Sequence, residues 1–538
     1  MNFIESIITN DIMSGRVDKE KIQFRHPPEP SGYLHIGHAR NIILNYGLAQ
    51  KYNGVCNLRY DDTNPSKECQ EFVDAIKEDV KWLGFHWNQI YYASDYFESN
   101  YEIAIKLIKE GKAYVDDLSS EEVRIYRGTL TEPGKNSPYR NRSVEENLYL
   151  FEKMKNGKFE QGKCCLRAKI DMTHSNMNMR DPIIYRIQYS NHQRIGTKWN
   201  IYPTYDFAHP IDDAIEGVTY SICGPEFENH RPLYDWVVEN SGIKNKPRQI
   251  EYSNLYIEGV VLGKRNINKL VKSGIVSGYD DPRLFTLRGL KRRGVLPESI
   301  IDFVKAAGIS KSNCIQDMEM FNYYVRNTLN MIALRVMAVL DPIRLVITNY
   351  PEEESEKVYI DTYPQIDNNK EMHIHTLSRE IYIEREDFKI NPEVNFYRLS
   401  IGSRVRLKGA YIIKCTGYEL NEDGDIKCVY AEYETEKKGK VKSTIHWVNP
   451  NFSYNVEIRC YKYTNLDKYL DDRDTGHKID DTIMSYKNAY IESGIEFNYD
   501  DRYQFVRNGY FCLDKDTEKN DKLIFNRIIT LKSDIKNK

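Results

Sequence analysis

The chain has 538 residues, of which 41% are hydrophobic, and carries a formal net charge of −3. This length predicts about three or four domains, and no run of about 18 apolar residues indicates a membrane span. The first 15 residues lack the basic start and the cleavage site of a signal peptide, and the ten cysteines contain no CxxC pair. We therefore expect a cytoplasmic protein with reduced thiols and no zinc site. The near-neutral charge neither indicates nor excludes a nucleic-acid partner.

The first recognisable unit passes from a strand through a turn into a helix. Lys21 to Arg25 alternates in part and predicts a strand, whereas Ile42 to Ala49 has helical spacing. The segment Pro27 to Pro30 holds three prolines, which forbid helix there. His35 and His38 follow at the predicted helix start, where free N–H groups and the helix dipole favour phosphate. Surface histidines or a metal pair would show the same HxxH spacing.

Three further segments carry candidate site residues. Gly54 to Tyr60 predicts a strand that ends at Asp61, and the carboxyl end of a parallel strand faces the ligand crevice, although an Asx turn has the same sequence. Tyr205 lies in a tyrosine-rich stretch, which packing explains as readily as substrate recognition. Lys264 follows Gly263 on a predicted flexible loop, where its charge would suit nucleotide phosphates, although an exposed basic turn also fits Gly-Lys-Arg.

The remaining segments indicate the domain organisation. Residues from about 94 to 200 mix helices with strands and carry loops rich in Arg, Lys and Tyr, which suit RNA but also occur in ordinary surface loops. Leu287 to Gly294 is a basic run that opens a helical region. From about Val336 onward, short alternating runs such as Ile343 to Ile347 predict an all-β part long enough for two barrels.

The stretch Pro27 to His38 resembles the HIGH signature of class I aminoacyl-tRNA synthetases, in the form used by the glutaminyl and glutamyl branch. The resemblance covers about Lys21 to Lys532. It implies a multidomain α/β protein with a Rossmann-type catalytic fold split by an acceptor-stem-binding insertion, a helical subdomain, and two C-terminal antiparallel β-barrels. The implied domains are 1–94 and 201–255 (catalytic halves), 95–200 (insertion), 256–332 (helical stem-contact subdomain with a KMSKS-like loop), 333–350 with 450–538 (proximal barrel) and 351–449 (distal barrel).

The resemblance also implies a role for individual residues. The catalytic residues would be His35, His38 and Lys264. The glutamine pocket would consist of Arg25, Asp61, Tyr205, Cys223 and Gln249, and tRNA contacts would come from Asn229, Arg335, Arg398 and Arg507. ATP would be bound by Glu29, Pro30, Ser31, His35, Ile36, Gly37, His38, Ala39, Arg40, Asn41, Gly224, Asn254, Leu255, Leu262, Gly263 and Lys264. Mg²⁺ would accompany ATP, and no protein side chain is assigned to a metal.

The implied activity is ATP-dependent ligation of L-glutamine to tRNA(Gln) through glutaminyl adenylate, by a monomer without membrane contact. Two pocket residues bear on the choice of amino acid. Tyr205 matches the residue whose hydroxyl reads the side-chain amide, and a site built around such a hydrogen bond rejects a lookalike strongly. Cys223 stands where the glutamyl branch usually has an arginine, and an uncharged thiol offers glutamate no counter-ion.

The chain departs from the pattern of that branch at several positions expected to matter. Together they bear on catalytic rate and on the stringency of tRNA selection, since losing one transition-state charge contact costs about 3 kcal/mol. The departures are Gly224 for threonine, Asn229 for aspartate, Asn254 for arginine, Leu262-Gly263 for Met-Ser, Asn395 for glutamine and Tyr397 for lysine.

Two alternatives stay open at this point. One is a glutamyl-tRNA synthetase of the same branch, against which Cys223 and the insertion argue. The other is a catalytically weak paralogue that binds tRNA. The changes at Gly224, Asn254 and Gly263 motivate this second alternative, whereas the retained histidines and lysine of the signatures argue against it.

Overall fold

The computed structural model describes residues 2–66, 68–366, 371–435, 439–462, 466 and 482–532. The chain forms two compact units. The first consists of Met1–Tyr256 with Val304–Gln316, and the second of Ile257–Phe303 with Asp317–Lys538. None of the helices in the described part of the chain combines the length and the apolar character needed to cross a membrane.

Helices and strands alternate through most of the first unit. In chain order the elements are α1 (Phe3–Met13), β1 (Gln23–His26), α2 (Ile36–Lys51), β2 (Val55–Tyr60), α3 (Gln70–Trp82), β3 (Ile90–Tyr92), α4 (Phe97–Lys109), β4 (Ala113–Asp116), α5 (Ser120–Arg127), α6 (Val144–Lys155), β5 (Cys165–Ala168), β6 (Ile183–Ile187), β7 (Ile201–Pro203), α7 (Tyr205–Glu216), β8 (Tyr220–Cys223), α8 (Arg231–Ser241), β9 (Arg248–Glu251) and β10 (Leu255–Ile257).

A parallel sheet built from two separate parts of the chain positions the candidate site. Strands β1, β2 and β3 pair in parallel, as do β8 and β9. The starts of β1 and β8 are joined, because the N–H of Thr219 donates to the oxygen of Gln23 at 2.9 Å. The resulting order is β3-β2-β1-β8-β9, with the chain order reversing between β1 and β8. Ligands bind such open sheets at the carboxyl ends beside the reversal.

The insertion between the two halves has a sheet of its own. Strands β4, β5, β6 and β7 pair antiparallel, and they share a core with α4 and α6 that includes Phe97, Phe151 and Trp199. Strand β7 begins at Ile201, where we expected the second catalytic half to resume, yet it pairs with β6. Three apolar residues have too little periodicity to specify the sheet that they join.

The remaining elements lead from helices into two large sheets. In chain order they are α9 (Lys264–Lys272), α10 (Leu287–Arg293), α11 (Pro297–Ala307), β11 (Cys314–Gln316), α12 (Met318–Ile332), β12 (Leu334–Val336), β13 (Ala338–Val339), β14 (Pro342–Ile347), β15 (Ser355–Asp361), β16 (Met372–Ser378), β17 (Glu380–Glu384), β18 (Arg404–Leu407), β19 (Ile412–Leu420), β20 (Ile426–Tyr433), β21 (Thr444–Ile445), β22 (Ser453–Tyr461), β23 (Ile483–Glu492), β24 (Tyr503–Phe505), β25 (Gly509–Leu513) and β26 (Ile524–Ile529).

Two barrel-like sheets form the C-terminal part of the second unit. One has the order β12-β24-β25-β26-β22-β23-β13, and the other β17-β14-β20-β19-β18-β21. The predicted class, a multidomain α/β chain with a Rossmann-type catalytic part and two C-terminal barrels, is confirmed. The barrels are not purely antiparallel, since β12–β24, β22–β26, β14–β20 and β18–β21 pair in parallel. These partners are distant in sequence, so no hairpin predicts them.

Strand β14 lies in the other sheet from the one expected. We placed 333–350 in the proximal barrel, but β14 pairs with β17 and β20 of the six-stranded sheet. The chain crosses between the sheets just before β14, where the carboxylate of Glu384 accepts the N–H groups of Leu340 and Asp341 at 2.9 and 3.0 Å. Alternation shows which face of a strand is buried but not which neighbour it joins.

Candidate active site

His35 and His38 lie at the first turn of α2. The Nδ1 of His35 accepts the N–H of Gly37 at 3.1 Å, and the Nδ1 of His38 accepts the backbone N–H of His35 at 3.1 Å. The ring centroids are 3.9 Å apart, so both imidazoles lie on the same side of the helix start. Because both Nδ1 atoms accept, each neutral ring carries its proton on Nε2. The helix start thereby offers two imidazole donors beside its own dipole.

Gly37 is required by the ring of His35. A Cβ at this position would lie 2.8 Å from Cε1 and 2.9 Å from Nδ1 of His35. It would also lie 3.7 Å from the backbone oxygen of Leu255, which places that predicted ATP residue against the same turn. The preceding turn is closed by the N–H of Ser31, which donates to the oxygen of Glu29 at 2.8 Å. Any side chain larger than hydrogen at Gly37 would displace the cap.

Several of the predicted ATP residues on α2 point into the protein. The side chains of Ile36 and Ala39 are fully buried. Arg40 is 2% exposed and donates to protein oxygens at 2.7 and 3.2 Å, while Asn41 donates to the hydroxyl of Tyr252 at 3.0 Å. These contacts fix the helix in place, and a direct contact of these side chains with ATP stays a prediction.

Asp61 follows β2 at the carboxyl edge of the parallel sheet, as predicted. Its N–H donates to the oxygen of Pro28 at 3.0 Å, and its Oδ1 accepts the hydroxyl of Thr63 at 2.8 Å. Burial raises the pKa of Asp61 to about 6, against the opposing effects of Thr63 and Arg59. At neutral pH this carboxyl group is therefore ionised and can receive an ammonium group.

Glu68 is a second carboxyl group near Asp61 that the sequence interpretation missed. Its side chain is 0% exposed, and its Oε1 accepts the N–H of Asn64 at 2.7 Å. Burial raises the pKa of Glu68 to about 9, and the charges of Asp62 and Asp61 raise it further. Neighbouring carboxyl groups with different pKa values can take different protonation states at one pH. Glu68 is therefore protonated at neutral pH, whereas Asp61 is charged.

Tyr205, of the predicted glutamine pocket, lies close enough to Cys223, Arg25 and Asp61 for these residues to affect its pKa. Tyr205 opens α7, and burial holds its pKa well above the ordinary value. The charges of Cys223 and Asp61 raise that pKa further and the charge of Arg25 lowers it, so all three are its neighbours. Burial also raises the pKa of the Cys223 thiol, which is uncharged at neutral pH. The pocket thus offers a phenol donor and a carboxylate beside a neutral thiol.

Gln249 adjoins this pocket from β9. It pairs with Ser221 in the parallel register, and its Nε2 donates to the oxygen of Phe227 at 3.1 Å. The ring of Phe227 lies 5.1 Å from that of Tyr205, centroid to centroid. Gln249 therefore contacts the residue whose ring packs beside Tyr205, and a direct contact of Gln249 with glutamine stays a prediction.

Arg25 contributes to the pocket through a buried network. Its Nε donates to Oδ1 of Asp213 at 3.0 Å, and its Nη2 reaches the hydroxyl of Ser221 at 2.5 Å. Asp213 also accepts from Arg59 at 2.7 Å and from the hydroxyl of Tyr234 at 2.8 Å. Asp213 was missed because its partners lie far away in sequence. The sequence did contain one signal for Asp213: a charged residue on the face of the amphipathic helix α7 that is otherwise buried.

Glu226 occupies the space that two of the departures leave. A Cβ at Gly224 would collide with the carboxylate of Glu226, and the Nδ2 of Asn254 lies 3.4 Å from its Oε2. The carboxylate of the exposed Glu226 therefore lies next to both the position without a side chain, Gly224, and the position without a cation, Asn254. Negative charge stands here where the resemblance implies a cation near the ATP phosphates.

Lys264 differs from the expectation in its local structure. It is the first residue of α9, with Gly263 as the N-cap, rather than part of a flexible loop. The reason is the apolar spacing of Ile267 and Leu270, both buried, which favours a helix up to the glycine. Lys264 consequently stands at a helix N-terminus, where the backbone itself favours phosphate.

The predicted tRNA contacts have internal partners. In the first unit, the backbone oxygen of Asn229 accepts from two asparagine side chains of the insertion at 2.7 and 3.0 Å. In the second unit, Arg335 is 8% exposed and donates to oxygens of the preceding turn. Arg398 and Arg507 both reach the carboxylate of Asp387, at 3.3 and 2.6 Å. Within the described ranges, no three His, Cys, Asp or Glu side chains are grouped to hold a metal ion.

Three family models match most of the chain. A family model described as “tRNA synthetases class I (E and Q), catalytic domain” matches residues 21–331. Two models described as “tRNA synthetases class I (E and Q), anti-codon binding domain” match 333–434 and 444–514. The crystal structure of a glutamate-tRNA synthetase from Elizabethkingia anophelis is 20% identical and covers 58% of this chain and 72% of its own, with a TM-score of 0.45.

Curated relatives are similar over almost their full length. Proteins named “Glutamine--tRNA ligase” are 49% identical in Clostridium kluyveri and 50% identical in Clostridium perfringens, with 99% of this chain and 98% of each relative covered. The protein of that name in Vibrio vulnificus is 47% identical, with 99% and 97% covered. With this similarity and the HIGH turn on a parallel sheet, the chain belongs to the class I aminoacyl-tRNA synthetases of the E and Q branch.

Proposed function

We propose that this chain ligates L-glutamine to tRNA(Gln) in two ATP-dependent steps. The observation that carries the proposal is the place of Tyr205 near Arg25, since its ring lies 4.7 Å from that of His209, which Arg25 contacts at 2.6 Å, with Asp61 and the neutral Cys223 close enough to affect its pKa. It is supported by relatives named “Glutamine--tRNA ligase” at about half identity over the whole chain. Family membership implies the use of ATP, and the two anticodon-binding matches imply a tRNA partner.

In the first step the substrate is held by its two polar ends. The carboxylate of Asp61 would receive the α-ammonium group, and the hydroxyl of Tyr205 would read the side-chain amide. The α-carboxylate of glutamine then attacks the α-phosphorus of ATP, the bond to the bridging oxygen breaks, and pyrophosphate leaves. Catalysis here consists of positioning and charge stabilisation, so no covalent enzyme intermediate is needed.

His35 and His38 would stabilise the charge that develops on the α-phosphoryl group. Their Nε2–H donors lie beside the N-terminus of α2, where the helix dipole favours the same charge. By the family resemblance, Lys264 would hold the leaving pyrophosphate from the start of its own helix. Mg²⁺ bound to ATP would supply further positive charge to the phosphates.

In the second step the terminal adenosine of tRNA accepts the glutaminyl group. Class I membership implies attack by its 2′-hydroxyl on the carbonyl carbon of the adenylate. The bond to the phosphate oxygen breaks, and AMP leaves with the electron pair. The hydroxyl proton passes to the released phosphate group, so the chain need not supply a separate base.

Discrimination against glutamate follows from the charge of the pocket. Cys223 supplies no cation to the substrate side chain, and Arg25 is already paired with Asp213 at 3.0 Å. The negative charge of glutamate would therefore be buried without a partner, which is costly. Glutamine is neutral and can satisfy the phenol of Tyr205 with its amide group.

Aminoacylation of total tRNA from the source organism tests the proposal. The purified chain is supplied with ATP and, in parallel, with labelled glutamine or labelled glutamate. We expect charging with glutamine only. Charging with glutamate would show that the pocket is wrongly interpreted. Binding of tRNA without charging of either amino acid would favour the catalytically weak paralogue and would make Asn254 and Gly263 the decisive changes.

A further inference from the structure

One buried carboxylate joins two arginines from different barrels. Asp387 is 0% exposed and ends the short 3-10 helix Arg385–Asp387, between β17 and β18. Arg507, in the turn between β24 and β25, donates from Nη1 to Oδ2 at 2.8 Å and from Nη2 to Oδ1 at 2.6 Å. Arg398 places Nη1 3.3 Å from the same Oδ1. Asp387 therefore sets how two guanidinium groups stand relative to each other.

The electrostatics of this group depend on the carboxylate. Two guanidinium groups that reach one oxygen atom repel each other, and the charge of Asp387 offsets that repulsion. The charge of Asp387 would be costly at full burial without partners, and the two arginines satisfy it. The arginines themselves stay accessible, since the side chain of Arg398 is 34% exposed and that of Arg507 is 26% exposed.

The backbone at Arg507 carries a matching constraint. Its φ is +70°, in the left-handed region that non-glycine residues rarely adopt. The next residue, Asn508, donates to Oε1 of Glu384 at 2.8 Å. The buried ring of His446 connects Glu384 with Arg507. Its Nε2 lies 3.3 Å from Oε1 of Glu384, and its Nδ1 lies 3.4 Å from Nη1 of Arg507. Strained conformations of this kind persist where the surroundings hold them, and they cluster at functional sites.

We propose that Asp387 is a positioning residue for anticodon reading, because its buried carboxylate holds Arg398 and Arg507 as a pair at the orientation in which they meet base edges. The role rests on the proposed function and on the family resemblance, which implies that both arginines contact the anticodon of tRNA. A guanidinium has five N–H donors, and Asp387 engages two of those of Arg507, which leaves others to face a base. Arginine forks discriminate bases only when they are correctly oriented.

The test compares two neighbouring carboxylates in the full-length chain. Asp387→Asn keeps the shape and removes the charge. Glu386→Gln is the matched control, because Glu386 also binds Arg398, at 2.8 Å, but is 69% exposed. The substrates are a tRNA(Gln) transcript, three transcripts with one anticodon base changed, and an acceptor-stem minihelix without an anticodon. The measured quantities are kcat and KM for glutamine charging, together with thermal unfolding.

For Asp387→Asn we expect KM for tRNA(Gln) to rise about tenfold and discrimination against the changed anticodons to fall by a similar factor. We expect kcat to stay within about twofold and minihelix charging to be unchanged, since neither depends on reading the anticodon. Glu386→Gln should leave every value within about twofold, because exposed pairs contribute little. If Asp387→Asn does not fold, Arg507→Lys is used instead, and the loss of its fork should weaken discrimination in the same way.

Two results with Asp387→Asn would overturn the inference while the proposed function stands. One is a wild-type chain that discriminates anticodons and an Asp387→Asn chain that does so equally well. The other is an equal decrease in the charging of tRNA(Gln) and of the minihelix by Asp387→Asn, which would show that Asp387 has only a structural role. A wild-type chain that charges no glutamine would contradict the proposed function itself, whereas one that charges glutamine and ignores the anticodon would overturn only the inference.

Discussion

The Nδ1 of His38 accepts the backbone N–H of His35 at 3.1 Å, so the signature histidines form one capped unit and not two independent side chains. The contact fixes the proton of a neutral His38 on Nε2. It also ties the position of the second ring to the backbone that carries the first. The chemistry assigned to the pair can therefore be tested at the level of single ring atoms.

Substitution of His38 should separate its two ring nitrogens. His38→Ala is expected to lower kcat by about 10²-fold, the usual cost of one transition-state donor, with tRNA binding retained. His38→Gln can place an N–H near the position of Nε2, whereas His38→Asn can only imitate Nδ1. Single-turnover charging should therefore rank Gln above Asn. Equal rates for both variants would contradict the donor role of Nε2.

The affinity for glutamine should depend on pH through Asp61. Burial raises the pKa of Asp61 to about 6, so the carboxylate that receives the ammonium group is lost as the pH falls through that value. KM for glutamine should rise correspondingly between neutral pH and the acid side of this pKa. Asp61→Asn should show a high KM throughout and no such step. Because the pKa of folded Asp61 lies above its unfolded value, ionisation costs stability, and Asp61→Asn should unfold at no lower temperature at pH 7.

Removal of the Tyr205 hydroxyl should weaken the recognition of glutamine. Tyr205→Phe is expected to lower kcat/KM for glutamine about tenfold, which is what one hydrogen bond is typically worth. Tyr202→Phe is the matched control, because its hydroxyl is buried and has no hydrogen-bond partner among the described residues. Initial charging rates over a range of glutamine concentrations measure both. If Tyr202→Phe lowers kcat/KM for glutamine as much as Tyr205→Phe does, the effect is one of packing and not of a hydrogen bond to glutamine.

Restoring the missing cation should accelerate the chemical step. Asn254→Arg is expected to raise the single-turnover rate, by up to about 10²-fold if a full transition-state contact is regained. Glu226 should limit this gain, because its carboxylate lies 3.4 Å from the Nδ2 of Asn254 and would pair with the new arginine. The double variant with Glu226→Gln should therefore exceed the single one. No gain in either would remove Asn254 as an explanation for a slow enzyme.

Two adjacent aspartates on α7 should respond oppositely to the same change. Asp213→Asn should lower the free energy of unfolding by about 3–5 kcal/mol, because it leaves the buried Arg25 and Arg59 without their shared partner. Asp212→Asn should be neutral or stabilising, since burial holds the pKa of Asp212 well above its usual value and its Oδ2 has no hydrogen-bond partner among the described residues. Urea unfolding measures both.

The pH dependence of these variants has a fixed sign. The pKa of folded Asp213 is depressed, mainly by Arg25 and Arg59 acting against its burial. Its contribution to stability is thus complete above the unfolded pKa and is lost as the pH falls below it. Wild type should lose stability in acid more steeply than Asp213→Asn. Parallel slopes for the two would show that the pair does not act through charge.

The parts of the site that could be predicted were local in sequence. The prolines before His35, the helical spacing after it and the strand before Asp61 each constrain the backbone within a few residues. The network around Arg25 could not be predicted, because its partner Asp213 is 188 positions away. The spacing of apolar residues predicts which face of an element is buried, but it does not predict which residues contact that face.

The same limit explains the differences in architecture. The alternation of apolar and polar residues correctly predicted that β14 is a strand. Its pairing with β17 and β20 depends on how the chain passes between the barrels, which the alternation does not show. For Lys264, the glycine before it suggested a loop. The buried Ile267 and Leu270 favour a helix, and that tertiary packing determines the structure.

The most direct measurement is the ratio of kcat/KM for glutamine to that for glutamate, determined with one tRNA(Gln) transcript in side-by-side charging reactions. Tyr205 and the neutral Cys223 predict a ratio of about 10⁴ or more, because buried polar groups left unpaired discriminate strongly. Detection of glutaminyl-tRNA alone would support that outcome. A ratio near one, or preference for glutamate, would contradict the assignment of this pocket to glutamine.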